Sequence, residues 1–435
     1  MSERQSSCGS NETNDKRKEY VLVEKQNLTI NIVEAPMGAG KTTAAINYMR
    51  AHGGDEDIRF MFVTPYLEEV ERVRRALPEM YFYEPQSAPT KTIDVRRLIQ
   101  RNENIATTHR LLSLFDEETI ELLNNRDYVL ILDEAPSVFD EFDITPMDVD
   151  NILTKHAHKD KDGMLVWDDD GYRGRYDDIK TMAYRGALGL YSDDNYPFWI
   201  MPVPVFRSFV AVYVLTYMFD TQMQRYYYDM WGLDYHRMTV RGDTLDTYEF
   251  AEGVSELSPQ AYADKIHILD KDRYLRIGCS SRMLVPNTTD TVLSKAWYAR
   301  QQNTGLLEEL RTHTESFFRN CSCTGTNENM WTTFSSYKNI LKGKGYTKGF
   351  VPLNMRATNK YADKAAIAYL VNVFPNPIYA NFLLAHGVEL DNEAYATSSM
   401  VQFLFRSGVR NGKDIQVYMP SIRMRTLLER WLEGE

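Results

Sequence analysis

The sequence predicts an α/β chain of two lobes built on parallel sheets, with an insertion in the first lobe. Three observations carry this. Residues 28–33 form an alternating β-rich run, followed by a glycine loop (35–43) and a helix-forming stretch. Residues 128–132 are uniformly apolar and end in Asp133 and Glu134, as a buried parallel strand does with polar groups at its tip. Near the end of the chain, residues 402–410 are followed by a second buried strand pattern over 414–420.

The glycine loop reads Ala35-Pro36-Met37-Gly38-Ala39-Gly40-Lys41-Thr42-Thr43. Its glycines let backbone N–H groups turn inward as a concave anion nest, and the following helix adds the positive end of its dipole. Lys41 can reach the terminal phosphates of a nucleotide, and the Thr42 hydroxyl can ligate Mg²⁺. Met37, Gly38, Ala39, Gly40, Lys41, Thr42 and Thr43 are therefore the expected ATP-binding residues. Ala35 stands where the phosphate-loop pattern has its first glycine.

The 435 residues suit two to three domains, and 43% hydrophobic and 12% aromatic residues are enough for a large core. A net charge of -11 excludes a uniformly basic nucleic-acid binder but leaves room for a local basic groove. Cys8, Cys279, Cys321 and Cys323 make no disulfide framework and are expected to be reduced. No apolar run approaches a membrane span, and residues 1–18 are polar without an apolar leader, so a cytoplasmic chain with a frayed tail is expected.

In chain order, residues 59–65 read as a second buried strand, with Thr64 and Pro65 at its tip and a Glu- and Arg-rich helix (66–77) after it. Thr107, Thr108 and His109 sit between a short strand and a helix, where backbone phosphates of a nucleic acid can be met; His109 can equally cap the helix or pack inside. Asp133 can hold Mg²⁺, and Glu134 can act as general base toward the attacking water. Residues 140–200 are acidic and rich in Tyr and Trp, and read as an insertion. Within it, 164–167 and 172–176 suggest a hairpin around Asp168-Asp169-Asp170-Gly171. Arg173, Arg175 and Tyr172 are either a platform for single strands or ordinary packing. A buried strand ending at Thr216 and a helix over 220–228 complete the first lobe, with a boundary expected at 232–241.

The second lobe is harder to read. A strand is expected at 266–269, helices over 289–319, from 330 and over 363–373 and 377–386, and an amphipathic helix at 423–432. Lys338, Lys342, Lys344 and Lys348 form either a basic rim or a solvated face. At 3.6 residues per turn, Gln402, Arg406 and Arg410 would share one helix face, a stripe suited to a triphosphate's terminal oxygens.

This order of motifs resembles the DEAD/DEAH-like superfamily 2 helicases. The residues that carry the resemblance are 35–43 (motif I), Val63-Thr64-Pro65 (Ia), Thr107-Thr108-His109 (Ib), Asp133-Glu134-Ala135-Pro136 (II), Leu215-Thr216-Tyr217 (III), Arg356-Ala357-Thr358-Asn359 (V) and 402–410 (VI). The loop 35–42 is similar to that of viral replication-origin-binding helicases, and the last two motifs to phage-encoded ones. The chain departs from the pattern at Pro136, at Thr216-Tyr217 and in the four-residue spacing of its arginines.

The resemblance implies two RecA-like P-loop domains with ATP and Mg²⁺ in the cleft between them. The expected division is a tail over 1–19, a first domain over 20–235 and a second over 236–435. Lys41, Glu134, Gln402, Arg406 and Arg410 are the expected catalytic residues, and Thr42 and Asp133 the metal ligands. Thr64, Pro65, Thr107, Thr108, His109, Arg356 and Thr358 would meet a single-stranded or forked nucleic acid, DNA in preference to RNA. The activity implied is an ATP-driven helicase or translocase of phage or viral replication, with replication proteins as partners. The alternative is an ATP-gated binding or recruitment module that unwinds nothing.

Overall fold

The computed structural model describes residues 28–54, 57–191, 195–254, 258–270, 289–353, 355 and 359–434. Cys8 and Cys279, and the site residues Arg356 and Thr358, lie outside them.

The first lobe is a seven-stranded sheet. Its strands are β1 (Thr29–Glu34), β2 (Ile58–Thr64), β3 (Ile105–Thr108), β4 (Asp127–Asp133), then, beyond the insertion, β10 (Ala211–Thr216), β11 (Tyr235–Arg241) and β12 (Glu249–Glu252). Their order is β12-β11-β1-β10-β4-β2-β3, parallel except for the edge strand β12. Both faces are covered, which is why these strands read as continuous apolar runs. In β4, Tyr128, Leu130 and Leu132 pack to one face, and Val129 and Ile131 to the other. The helix Lys41–His52 buries Ala45, Ile46 and Met49 on that second face.

The insertion contributes β5 (Phe139–Glu141), β6 (Ala157–Lys159), β7 (Leu165–Trp167), β8 (Leu188–Tyr191) and β9 (Tyr196–Ile200). These make a three-stranded antiparallel sheet and a separate β6–β7 pair. The hairpin expected around Asp168–Gly171 is therefore displaced: β7 turns back onto β6 instead. Residues 172–176 form no strand because Tyr172 packs on His156 and Trp167, and Arg175 pairs with Asp148 at 2.8 Å.

The second lobe is a four-stranded, all-parallel sheet in the order β13-β16-β15-β14. Its strands are β13 (Ile266–Ile268), β14 (Asn329–Thr332), β15 (Ala366–Tyr369) and β16 (Ile415–Tyr418). Two expected helices are strands here. The alanines of residues 365–368 favour a helix locally, but Ile367 and Tyr369 point into one core and Ala366 and Ala368 into the other. Central burial overrides propensity. Likewise Met330 and Trp331 split between the two cores, so the run expected to open a helix is β14.

The expected boundary at 232–241 also moves. β11 pairs with β1 and β12 with β11, so residues 235–252 complete the first sheet, and the second sheet begins at Ile266.

The lobes share a core contact. The helix Pro377–Ala385 of the second lobe sends Tyr379 and Phe382 among the first lobe's aromatics. Tyr379 stacks on Phe139 at 5.3 Å between centroids, and Phe382 meets Phe198 edge-on at 4.8 Å. Among the described residues no helix is long and apolar enough to cross a membrane.

Candidate nucleotide site

The parallel sheet brings its polar strand tips to one edge, where open α/β sheets bind ligands. β10 lies between β1 and β4, so the glycine loop and the Asp133-Glu134 pair flank it. Gly38 and Gly40 take φ of 90° and 82°, conformations that only glycine adopts without cost. Gly40 also lies under the Tyr248 ring: a Cβ there would come within 2.6 Å of it. Asn47 holds that ring's segment, its amide donating to the carbonyls of Leu245 and Tyr248 at 2.9 Å each. Gly40→Ala is therefore expected to distort the loop, costing about 1–2 kcal/mol for the left-handed backbone alone. ATP should then no longer raise the melting temperature of the variant, whereas it should for the parent chain.

Lys41 reaches back over the loop and donates to the carbonyls of Ala35 and Pro36 at 2.5 and 2.8 Å. Burial pulls its pKa down to about 8 against the opposing pull of Asp133 and Glu134. The Thr42 hydroxyl donates to Asp133 Oδ1 at 3.0 Å. Burial, followed by the nearby Glu69, pushes Asp133 up to about 6, although Thr42, Lys41 and Arg72 oppose it. A buried carboxylate beside a hydroxyl is an oxygen donor set that suits a hard cation. Glu134 has φ of 66°, rare for a side-chain-bearing residue, with its N–H donating to Leu215 O at 3.0 Å. Strain of this kind gathers at functional sites.

The second lobe faces this edge across a cavity of about 1450 Å³. Gln402, Arg406 and Arg410 all line it, together with Gly38, Lys41, Thr42, Asp133 and Glu134. They do not share a helix face, however. The helix Asn392–Leu404 ends before Arg406, and Arg410 sits in the short turn Gly408–Asn411. Beyond the helix end the Gly408 N–H does not continue the helical ladder but donates to Lys364 O at 2.9 Å. Arg406 is buried over Phe403 and donates to Leu353 O at 3.1 Å; burial lowers its pKa, while Glu134 pulls the other way. Arg410 Nη2 is 3.6 Å from the position a Cβ would take on Gly38. Gln402 donates to Ser398 Oγ at 3.0 Å.

The residues expected to touch nucleic acid divide. Pro65 lines the cavity. Thr107 is buried away from any strand, and Thr64, although it lines the cavity beside Pro65, is buried with its hydroxyl turned to Asp133 Oδ2 at 3.5 Å. Thr108 and His109 are half-buried where β3 meets the short helix His109–Leu112. Sequence reasoning missed Tyr248, Glu69 and Arg72. Their roles depend on long-range contacts that no local spacing signals.

Residues 260–432 match the family model of the YonV C-terminal Rossmann-like domain. Solved structures with a similar arrangement include an XPD helicase (TM-score 0.43, 8% identity, 93% of this chain and 95% of that one). S. tokodaii Xpd4 is another (TM-score 0.41, 12% identity, 92% and 93%). A third is the DUF1998 helicase MrfA bound to DNA and AMPPNP (TM-score 0.33, 10% identity), where the match spans 95% of this chain but 49% of that one. Over 422 residues the chain is 34% identical to the SPbeta prophage-derived uncharacterized protein YonV of Bacillus subtilis (strain 168), covering 93% of this chain and 99% of that protein. The chain belongs to the YonV family.

Proposed function

We propose that this chain is an ATP-dependent nucleic-acid translocase of the superfamily 2 type, acting on DNA. The observation that supports it most is the shared cavity: a lysine, a carboxylate pair and a glycine nest from one lobe, with two arginines from the other. In this reading the nest and Lys41 hold the phosphates. Thr42 and Asp133 hold Mg²⁺, which when bound neutralises phosphate charge. Glu134 accepts the proton of the attacking water. Arg406 and Arg410 stabilise charge developing on the γ-phosphoryl group, with Gln402 beside them. Because those arginines belong to the second lobe, the state of the nucleotide alters how the lobes are held, and that motion can be coupled to a strand.

Pro65, Thr108 and His109 remain the first-lobe candidates for contact with that strand, and Arg356 and Thr358 the second-lobe ones. A host-cell cytoplasmic setting among replication proteins is part of the same proposal, and the prophage origin of the relative is compatible with it. The experiment is ATP hydrolysis with and without single-stranded DNA or RNA. The expected result is turnover stimulated by DNA and lowered about 10²–10⁴-fold in Glu134→Gln, which keeps its ATP binding. Slow turnover indifferent to nucleic acid would favour the ATP-gated binding module instead.

A further inference from the structure

The nucleotide machinery leaves one part of the cavity without a use. Phe374 follows the β15 strand at its C-terminal end, lines the cavity and is 44% exposed. A single exposed apolar side chain is ordinary by itself. This one is built into a shelf. The guanidinium carbon of Arg423 lies 4.3 Å from the ring centroid, covering one face. That guanidinium is held by three hydrogen bonds to oxygen: Nη1 donates to Asn372 Oδ1 and Val373 O at 2.9 Å each, and Nη2 to Asn392 O at 3.1 Å. It is thus a fixed floor under the ring.

The chain after Phe374 is equally constrained. Pro375 is buried, Asn376 Oδ1 accepts from Ile378 N at 3.0 Å to cap the next helix, and Pro377 opens that helix. A ring held this way loses little freedom when something stacks on it, which is how preorganised aromatics gain affinity. Every nucleobase offers a flat π-face, and sequence-tolerant single-strand binders use such rings beside cationic groups. Lys295, an exposed cation of this lobe, lines the same cavity.

We propose that Phe374, seated on Arg423, is the stacking site for one base of a single strand in the second lobe. This rests on the translocase reading above and names where that lobe grips its strand. The test is equilibrium binding, by fluorescence anisotropy, of oligo-dT and of an abasic strand of equal length. The parent chain should bind oligo-dT about tenfold more tightly than the abasic strand. Phe374→Ala should bind both strands alike, at the abasic level. Phe374→Trp should restore the preference, and Phe374→Leu, which keeps apolar bulk without a π-face, should not. Melting curves establish that each variant is folded. If Phe374→Ala or Phe374→Leu keeps the preference for oligo-dT, the stacking site is wrong while the translocase reading stands. If the parent chain binds neither strand, the translocase reading falls and takes this site with it.

Discussion

Lys41→Ala is expected to lower kcat/KM for ATP by about 10²–10³-fold, the scale seen when one charged or hydrogen-bonding group is removed from a developing anion. The reason is geometric. Lys41 is the only lysine among the described residues on the glycine-loop side of the cavity, and it is already drawn over the loop by two backbone carbonyls. Phosphate oxygens would replace those carbonyls as partners. The change also removes one of the cations that oppose the burial of Asp133. Hydrolysis followed by phosphate release, with a fluorescent ATP analogue reporting affinity, measures both losses. Phosphate release at the parental rate would remove the nucleotide site from the fold as described.

Arg410→Ala should separate binding from chemistry. Its guanidinium approaches Gly38 from the opposite lobe. An arginine supplied across a cleft to a phosphoryl group is worth about 10³–10⁵ in kcat. Turnover should fall on that scale while affinity for the ATP analogue changes by only a small factor. Arg410→Lys should not rescue it, because an ammonium cannot reproduce the planar two-pronged contact. Turnover close to the parental value in Arg410→Ala would show that the second lobe merely covers the nucleotide.

What could be read from the chain beforehand follows physical range. The glycine loop, Lys41 and Thr42 were legible because their chemistry is local: strand, turn and helix occupy neighbouring residues. Asp133 and Glu134 were legible because a strand buried on both faces has polar groups only at its tips. β14 and β15 were not, since Asn329–Thr332 and Ala366–Tyr369 owe their extended form to neighbours in the sheet rather than to intrinsic preference. The arginine pair was found by type but misassigned in geometry. A regular spacing of four suggested one helix, but the helix ends at Leu404 and the Gly408 N–H turns to Lys364 O on another segment. The hydroxyls of Thr64 and Thr107 were assigned to a nucleic-acid strand, but Thr107 is buried away from one and Thr64 turns to Asp133. Phe374 and Tyr248 carry no sequence signal at all, because exposure and a ring over a distant glycine are properties of the assembled chain.

The stack of Tyr379 on Phe139 has a mechanical corollary. Rings in van der Waals contact tolerate sliding and tilting far better than parting, since separation would wet both faces at once. Any swing that widens the gap between Gly38 and Arg410 while sparing that pair must place its fulcrum close to the pair. The acidic insertion that supplies Phe139 would then serve as the bearing on which the rear half of the molecule turns.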